Sequence, residues 1–357
     1  MTDLLGLTAE LVGIPSVSHN EAAIAGFVES ELRRHRGLTI TRIADNVVAR
    51  TSLGRAERVL LAGHLDTVPP AGNEGSRLDG DVCHGLGSVD MKGGVAVIVA
   101  LAAELAEPVY DLTFVLYSGE EVERRYSGLA ALEAARPDLL VADAALLLEP
   151  TGAVVEAGCQ GSMRLIVKMR GSPAHAARPW MGKNALHRLG ALIGRIGEFD
   201  ERRPVLDGCE YHESLQAVWA EGGSTARVNV VPARAVALLS HRFAPDRNAE
   251  AALDSIRALL GPALDTAAGD VIEVEEVSDP APPNLGHPVL ASLVAASKAK
   301  PRAKLGWTDV ARFAAWGVPA ANFGPGDPLL CHHPDERISR RELEVAYSVL
   351  RSLLAGA

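Results

Sequence analysis

The chain has 357 residues, of which 48% are hydrophobic and 22% charged, the composition of a folded protein long enough for two domains. Its formal net charge of -10 and the lack of a lysine- and arginine-rich block argue against a nucleic-acid partner. Because no basic, apolar leader opens the chain and no apolar run reaches about 18 residues, we expect a cytoplasmic protein with no membrane partner.

Predicted helices and strands alternate in the first part of the chain. The helices span 21–35 and 92–105, and the strands span 46–49, 59–62, 112–117 and 144–148. The strand segments are largely apolar, which is typical of buried parallel strands in an α/β sheet. Because ligands of such sheets bind beyond the carboxyl ends of the strands, we expect the functional site there.

From residue 162 onward the pattern changes to the order β-α-β-β-α-β, which predicts an inserted ferredoxin-like α+β domain. Its strands are predicted over 163–169, 216–219, 236–242 and 271–275, and its helices over 184–196 and 249–260. The proline-rich stretch 279–283 marks the return crossing, after which a helix over 288–299 and a strand over 320–323 lead to His332. We therefore predict a catalytic domain of residues 1–161 and 278–357 and an inserted domain of residues 162–277.

Acidic residues and histidines occur where the strands of the first domain end. In chain order they are His64, Asp90 after a glycine-rich turn, Glu120, Glu121, Glu149, and His332 near the C-terminus. Carboxylate and imidazole ligands suit two divalent cations, and the widely spaced cysteines are expected to be reduced thiols. Three acids and a bridging hydroxide would balance the charge of two such cations. The pattern predicts a two-metal hydrolase.

Each of these positions also has a simpler interpretation. A histidine at a strand end is usually structural, but Asp66, two residues after His64, could accept its second ring N–H and orient it. Asp90 could cap the helix that follows, although a carboxylate there could also bridge two cations, and the roles are compatible. Glu120 and Glu121 could be a solvated pair, but neighbouring carboxylates in a cleft repel unless a cation or proton compensates. One could then bind metal while the other moves protons.

Several motifs together carry a family resemblance. They are Gly63-His64-Leu65-Asp66-Thr67-Val68, Gly87-Ser88-Val89-Asp90-Met91-Lys92-Gly93, Ser118-Gly119-Glu120-Glu121, Leu148-Glu149-Pro150-Thr151, Gly171-Ser172-Pro173-Ala174-His175-Ala176 and the terminal His332. Over its whole length the chain resembles the dinuclear zinc amidohydrolases and exopeptidases, which include carboxypeptidase G, acetylornithine deacetylase, aminoacylase and succinyl-diaminopimelate desuccinylase. The resemblance implies a zinc-exopeptidase-like, doubly wound mixed α/β sheet with an inserted lid and dimerisation domain.

The resemblance also implies two zinc ions per subunit, for which cobalt can substitute. The implied ligands are Asp90 as the bridge, His64 and Glu149 for one ion, and Glu121 and His332 for the other. The neighbouring His333 is interpreted as a surface residue. The family's C-terminal pattern, which ends in an acidic or amide residue and Glu, fits the chain only if His332 is the ligand.

The remaining implied roles concern catalysis and the substrate. Glu120 would be the general base, and His175 would reach a neighbouring subunit's site to steady the oxyanion, which implies a homodimer formed through the inserted domain. The candidate substrate-binding residues are Arg178, Asn229, Arg242 and Thr308. Each arginine could equally be a solvated surface cation, but a dianionic substrate would make a pocket arginine useful.

Within the family, segments 307–313 and 322–328 look most like the succinyl-diaminopimelate desuccinylases of actinobacteria. The implied reaction releases succinate and LL-diaminopimelate from a small anionic substrate, for lysine and cell-wall synthesis. Another amidohydrolase of the family, such as acetylornithine deacetylase, or a dipeptidase or carboxypeptidase, would use the same metal residues. A non-catalytic metal-dependent binding protein is the alternative of another class, and it would not require Glu120.

Overall fold

The computed structural model describes residues 2–223 and 229–356. Two compact units make up the chain. The first unit comprises Met1–Gly158, Pro283–Arg302 and Arg312–Ala357. The second unit comprises Cys159–Pro282 and Ala303–Ala311. The predicted insertion, 162–277, lies within the second unit. Its role as a lid and dimerisation domain stays a prediction.

A mixed eight-stranded sheet is the largest sheet among the described residues. Its strands, in spatial order, are β1 (Thr39–Ile43), β2 (Asn46–Arg50), β6 (Asp111–Tyr117), β3 (Arg58–His64), β7 (Ala144–Leu147), β16 (Ala320–Asn322), β8 (Glu156–Ala157) and β15 (Arg302–Ala303). The four neighbours β6, β3, β7 and β16 run parallel, whereas β1, β2 and β8 pair antiparallel with their neighbours. Strands β6 and β7 are buried throughout, as their apolar sequences predicted. The predicted mixed α/β fold is confirmed.

Helices cover this sheet and complete the core of the first unit. The helices outside the ferredoxin-like part are α1 (Leu4–Val12), α2 (Ala22–Arg33), α3 (Gly93–Glu104), α4 (Gly128–Ala135), α7 (Pro288–Ser297), α8 (Val310–Ala315) and α9 (Arg340–Ala355). Helix α3 is buried from Gly93 to Ala102, since its sequence is apolar on every face. Helix α9 starts with a capping box, in which Ser339 and Glu342 each bond the other's backbone N–H.

A small antiparallel sheet holds the C-terminal segment against the chain before Asp90. Its strands in spatial order are β17 (Arg337–Ser339), β5 (Val82–His84) and β4 (Arg77–Asp79). Among the described residues, no helix is both long enough and apolar enough to cross a membrane.

The second unit has the predicted ferredoxin-like arrangement. Within its described part, four antiparallel strands lie in the order β12 (Ser214–Gly222), β13 (Arg234–Phe243), β9 (Gly161–Arg170) and β14 (Val271–Ser278). Helices α5 (Ala185–Ile196) and α6 (Ala249–Leu260) pack on the sheet, and β10 (Val205–Leu206) and β11 (Cys209–Glu210) form a hairpin. Buried and more exposed residues alternate along β9, because only one face of the sheet contacts the helices.

Candidate metal centre

The parallel strands bring the predicted ligands to one edge of the sheet. His64 is the last residue of β3, and Glu149 lies two residues beyond the end of its parallel neighbour β7. Glu120 and Glu121 follow β6, the parallel neighbour of β3 on the other side. The carboxyl ends of parallel strands lie at the same edge, so these side chains are gathered there.

Asp90 lies between two histidines. Its Oδ1 is 3.1 Å from Nε2 of His64, and its Oδ2 is 3.5 Å from Nε2 of His332. The His332 Nε2 is also 2.8 Å from Oε1 of Glu121. One ligand atom from each of His64, Asp90 and Glu121 lies within 4.8 Å of the others. A carboxylate that bridges two cations must direct its two oxygens to different sides, and the oxygens of Asp90 face different histidines.

Glu149, the fifth predicted ligand, is buried and interacts electrostatically with His64. Glu121 contacts His332. The assignment of these residues as ligands stays a prediction.

Asp66 has contacts that differ from the expected ones. Nδ1 of His64 lies 3.0 Å from the backbone oxygen of Asp66 but 3.6 Å from its carboxylate. The carboxylate instead accepts the backbone N–H groups of Glu120 and Glu121, both at 3.0 Å, and the hydroxyl of Ser18 at 2.8 Å. Because β3 ends at His64, the alternation of an extended strand that the prediction assumed does not continue to Asp66. Asp66 thus holds the backbone that carries both glutamates.

The backbone carbonyl of Asp66 also selects the tautomer of His64. A carbonyl oxygen can only accept, so Nδ1 of His64 carries the hydrogen in this contact. In the neutral ring, Nε2 then keeps its lone pair and faces Asp90. This is the form in which an imidazole binds a cation.

Asp90 does not have the alternative role of a helix cap. Helix α3 begins at Gly93, with Lys92 at the cap position, and Asp90 lies two residues before Lys92 with a non-helical backbone. The carboxylate faces the two histidines instead. The glycine-rich turn therefore serves to deliver Asp90 to the centre of the site.

Two residues that the sequence analysis left without a role contact the site. Glu336 accepts backbone N–H groups of the loop before Asp90, and Ser18 donates to Asp66. Glu336 is the last residue of the C-terminal pattern used to choose His332, and that position was the sequence signal for it. No motif marks Ser18, whose contact with Asp66 joins residues 48 positions apart.

Electrostatics concentrate negative potential at the site. Burial acts to lower the pKa of His64, but the carboxylates of Asp66 and Asp90 outweigh it and raise that pKa well above its usual value. Contacts with Asp90 and Glu121 raise the pKa of His332 to about 10. Burial opposes ionisation of Asp66, yet His64 and two backbone N–H groups lower its pKa to about 2. The anionic carboxylates thus favour protonation of the neighbouring imidazoles. A divalent cation can replace those protons, so this set of donor atoms fits divalent cations.

The other predicted residues belong to the second unit. His175 is exposed, and its Nδ1 accepts the backbone N–H of Ala177 at 3.0 Å. The backbone oxygen of Asn229 accepts from Ala176 at 2.9 Å, so Asn229 lies beside the His175 segment, and Arg178 follows it. The backbone N–H of Arg178 donates to the oxygen of His175 at 2.7 Å, so a turn brings Arg178 close to His175 and Asn229 lies beside that turn.

Arg242 and Thr308 also lie in the second unit. Arg242 is partly exposed on β13, and burial lowers its pKa. Thr308 is buried, and its backbone oxygen is 3.7 Å from the thiol of Cys159, which also interacts electrostatically with Arg242. The substrate-binding roles of these residues stay predictions.

Comparison with known sequences decides the family. Residues 60–356 match Peptidase family M20/M25/M40. The chain belongs to this family. The metal-dependent hydrolase predicted from the motifs is thus confirmed as its class.

Similar sequences extend along the entire chain. A relative from Mycobacterium tuberculosis, provisionally named succinyl-diaminopimelate desuccinylase DapE, is 47% identical over 361 residues, which cover 100% of both chains. A relative from Corynebacterium glutamicum, named succinyl-diaminopimelate desuccinylase, is 42% identical and covers 99% of this chain and 97% of its own. The resemblance to this group of the family, inferred from two segments, is confirmed.

Solved structures share the fold at much lower identity. The aminopeptidase PepT of Bacillus cereus has a TM-score of 0.79 at 19% identity, covering 99% of this chain and 97% of its own. The YXEP protein of Bacillus subtilis, a dinuclear metal-binding peptidase of the M20 family, has a TM-score of 0.71 at 16% identity, covering 99% and 96%. Both likenesses concern the fold alone.

Proposed function

We propose that the protein hydrolyses N-succinyl-LL-2,6-diaminopimelate to succinate and LL-2,6-diaminopimelate, a step toward lysine and cell-wall precursors. The observation that carries this proposal is the full-length identity of 47% and 42% to relatives named for that reaction. The arrangement of carboxylates and histidines around Asp90 supports it, since amide hydrolysis at neutral pH needs an activated water. A cytoplasmic location, expected from the sequence, stays a prediction.

The proposed cofactors are two Zn²⁺ per subunit, with Co²⁺ able to substitute. Asp90 would bridge them, His64 and Glu149 would complete one site, and Glu121 and His332 the other. The mixture of imidazole nitrogens and carboxylate oxygens suits Zn²⁺ and Co²⁺. When bound, two such cations supply Lewis-acid activation of water and of the amide carbonyl.

The chain's own residues would handle the protons and the positioning. Glu120, adjacent to the ligand Glu121, would take a proton from the attacking water and pass it to the leaving amine. The amide C–N bond then breaks to give a carboxylate and an amine. Asp66 would hold the backbone of Glu120 and Glu121 in position, because its carboxylate accepts the backbone N–H of each.

Residues of the second unit are proposed to recognise the substrate. His175 would steady the tetrahedral oxyanion, and Arg178, Asn229, Arg242 and Thr308 would bind the substrate's polar groups. Local cations are needed because the protein carries a net charge of -10 and the substrate is anionic. An arginine can take a carboxylate through two parallel hydrogen bonds.

We also propose a homodimer formed through the second unit. Support comes from β12, which lies at the edge of its sheet and exposes 56% of Val218 and 49% of Trp219. An exposed strand edge with an aromatic side chain can pair with a second copy. Mass measurement by light scattering should give a dimer for the wild type and a monomer for Trp219→Lys. A wild-type monomer would contradict the proposal.

The substrate is tested with purified, zinc-loaded protein. It is offered N-succinyl-LL-2,6-diaminopimelate, N-acetylornithine and a simple dipeptide, each with and without a chelator. We expect chelator-sensitive release of succinate and no turnover of the other two. Turnover of only another amide would retain the two-metal chemistry and overturn the proposed substrate. Two bound cations without turnover of any of the three would favour a binding role or an amide outside the panel.

A further inference from the structure

Glu336 is a buried carboxylate, only 1% exposed, four residues after His332. Its two oxygens accept three backbone N–H groups from the loop that delivers the proposed bridging residue. The donors are Gly87 at 2.9 Å, Val89 at 2.8 Å and Asp90 at 3.0 Å. One side chain thus joins the chain around His332 to the chain around Asp90.

Both segments hold backbone conformations that need external support. Gly87 has a φ of 79°, and a Cβ there would approach Thr67 to 2.7 Å. His332 has a φ of 59°, which non-glycine residues rarely adopt. Such conformations persist where the surroundings fix them. The backbone oxygen of Glu336 accepts from Gly85 at 3.1 Å, which ties the backbones together, while its carboxylate holds the loop beyond Gly85.

We propose that Glu336 is a positioning residue that fixes Asp90 relative to His332 and thereby sets the affinity for divalent cations. The inference rests on the proposed ligand roles of Asp90 and His332, and not on the proposed substrate. Without this acceptor, three N–H groups in a buried loop would seek other partners and displace Asp90. The same three N–H groups satisfy the carboxylate of Glu336, so it is not an unpaired buried charge.

The test is Co²⁺ binding to chelator-treated full-length protein, followed by calorimetry and by the visible absorption of the bound cobalt. Glu336→Gln keeps the size of the side chain but replaces one acceptor oxygen with a donor. Asp335→Asn is the matched control, because it removes a charge from the adjacent position, where the side chain is 79% exposed. We expect Glu336→Gln to weaken Co²⁺ binding about 10-fold or more and to change the cobalt spectrum. Asp335→Asn should retain both.

The possible outcomes separate the inference from the proposed function. Glu336→Gln protein with a lower melting temperature but wild-type Co²⁺ affinity and spectrum would show a merely structural role and overturn the inference. Wild-type protein that takes up no Co²⁺ would overturn the metal site as well. Wild-type protein that binds Co²⁺ without hydrolysing the succinyl substrate would overturn only the substrate, and the variant would still decide the role of Glu336.

A second measurement applies if Glu336→Gln does not fold. Amide hydrogen exchange on the metal-free wild type reports directly on Gly87, Val89 and Asp90. If Glu336 holds the loop before cations bind, these three amides are protected from exchange. Rapid exchange at Val89 and Asp90 in folded, metal-free protein would contradict the inference.

Discussion

At the scale of single residues, two buried carboxylates that were not predicted to be metal ligands hold loops of the site in place. Asp66 accepts the N–H groups of Glu120 and Glu121, and Glu336 accepts those of the loop that ends at Asp90. A backbone held by hydrogen bonds directs its side chains before any cation arrives. Such preorganisation is what a site with demanding coordination geometry requires.

The assignment of Glu120 as the base gives the first prediction. Glu120→Gln removes the group that accepts the proton but keeps its size, so kcat should fall about 10²- to 10⁴-fold. The protein should still bind two Zn²⁺, measured by metal analysis after gel filtration. Glu123→Gln is the control, because Glu123 lies three residues away and pairs with Arg125 at the surface. A near-normal kcat for Glu120→Gln would show that another group is the base.

The contacts of Asp66 give the second prediction. Asp66→Asn replaces an acceptor oxygen with a donor that faces donors, so kcat and Co²⁺ affinity should each fall about 10- to 100-fold. Ser18→Ala removes the hydroxyl but leaves both backbone N–H groups paired with Asp66, so we expect less than about a 3-fold change in either. Equal losses in the two variants would show that Ser18, rather than the glutamate backbone, matters to Asp66.

The residue types of the site were predictable from sequence, but its supporting contacts were not. The motif around His64 and the paired glutamates after β6 identify donor atoms and their order along the chain. Which atom of Asp66 faces His64 depends on how the chain turns after β3, and the motif does not encode that turn. Glu336 and its three donors lie almost 250 residues apart, so the contact appears only in the folded chain.

At the scale of elements, long apolar runs predicted strands well and short strands poorly. Strands β3, β6 and β7 follow from largely apolar segments, because buried parallel strands have no polar face. Strands β4, β5 and β17 have three residues each, and β17 is defined by long-range pairs such as Arg337 with His84. Such pairs leave no periodic signal.

Helix ends are also predicted less well from sequence than the helices themselves. The helix predicted over 288–299 ends at Ser297, because Lys298 adopts a left-handed conformation with a φ of 56°. Glycine or asparagine usually occupies such a helix end, so a lysine at this position does not indicate from sequence that the helix ends. By contrast, helix α6 spans Ala249–Leu260, as its apolar periodicity and the Asn248 cap indicate.

The core of the second unit contains a histidine whose protonation should affect stability. His241 on β13 is fully buried, stacks on Phe243, and has Nδ1 2.8 Å from the backbone oxygen of Ser214. Burial lowers its pKa to about 4, whereas an unfolded histidine titrates near 6.5. Between these values the unfolded chain binds more protons, so stability falls as the pH falls from about 7 toward 4.

The third prediction follows from this difference. Between pH 7 and pH 5 the wild type should lose about 2 kcal/mol more unfolding free energy than His241→Leu, measured by urea denaturation of metal-free protein. All other groups titrate in both proteins, so the comparison isolates His241. His187→Leu, at an exposed position on α5, is the control for replacing a histidine with leucine. An identical pH dependence in wild type and His241→Leu would contradict the assigned pKa.

At the scale of the whole molecule, cation binding should be linked to folding of the first unit. The proposed ligands come from the ends of three strands, from the turn before α3 and from the C-terminal loop, so they converge only when this unit is folded. The unfolded chain disperses them and binds cations weakly. A cation that binds only the native state stabilises it by mass action.

The fourth prediction tests this linkage and the choice between adjacent histidines. Zn²⁺ at about 1,000 times its Kd should stabilise the protein by about 4 kcal/mol and raise its melting temperature by several degrees over chelator-treated protein. His332→Asn removes the imidazole that contacts Glu121 and Asp90, so most of this increase should be lost. His333→Asn should retain the increase, because the ring of His333 contacts its own loop at Asp335. The reverse result would make His333 the ligand, and a melting temperature indifferent to Zn²⁺ in the wild type would contradict the metal centre.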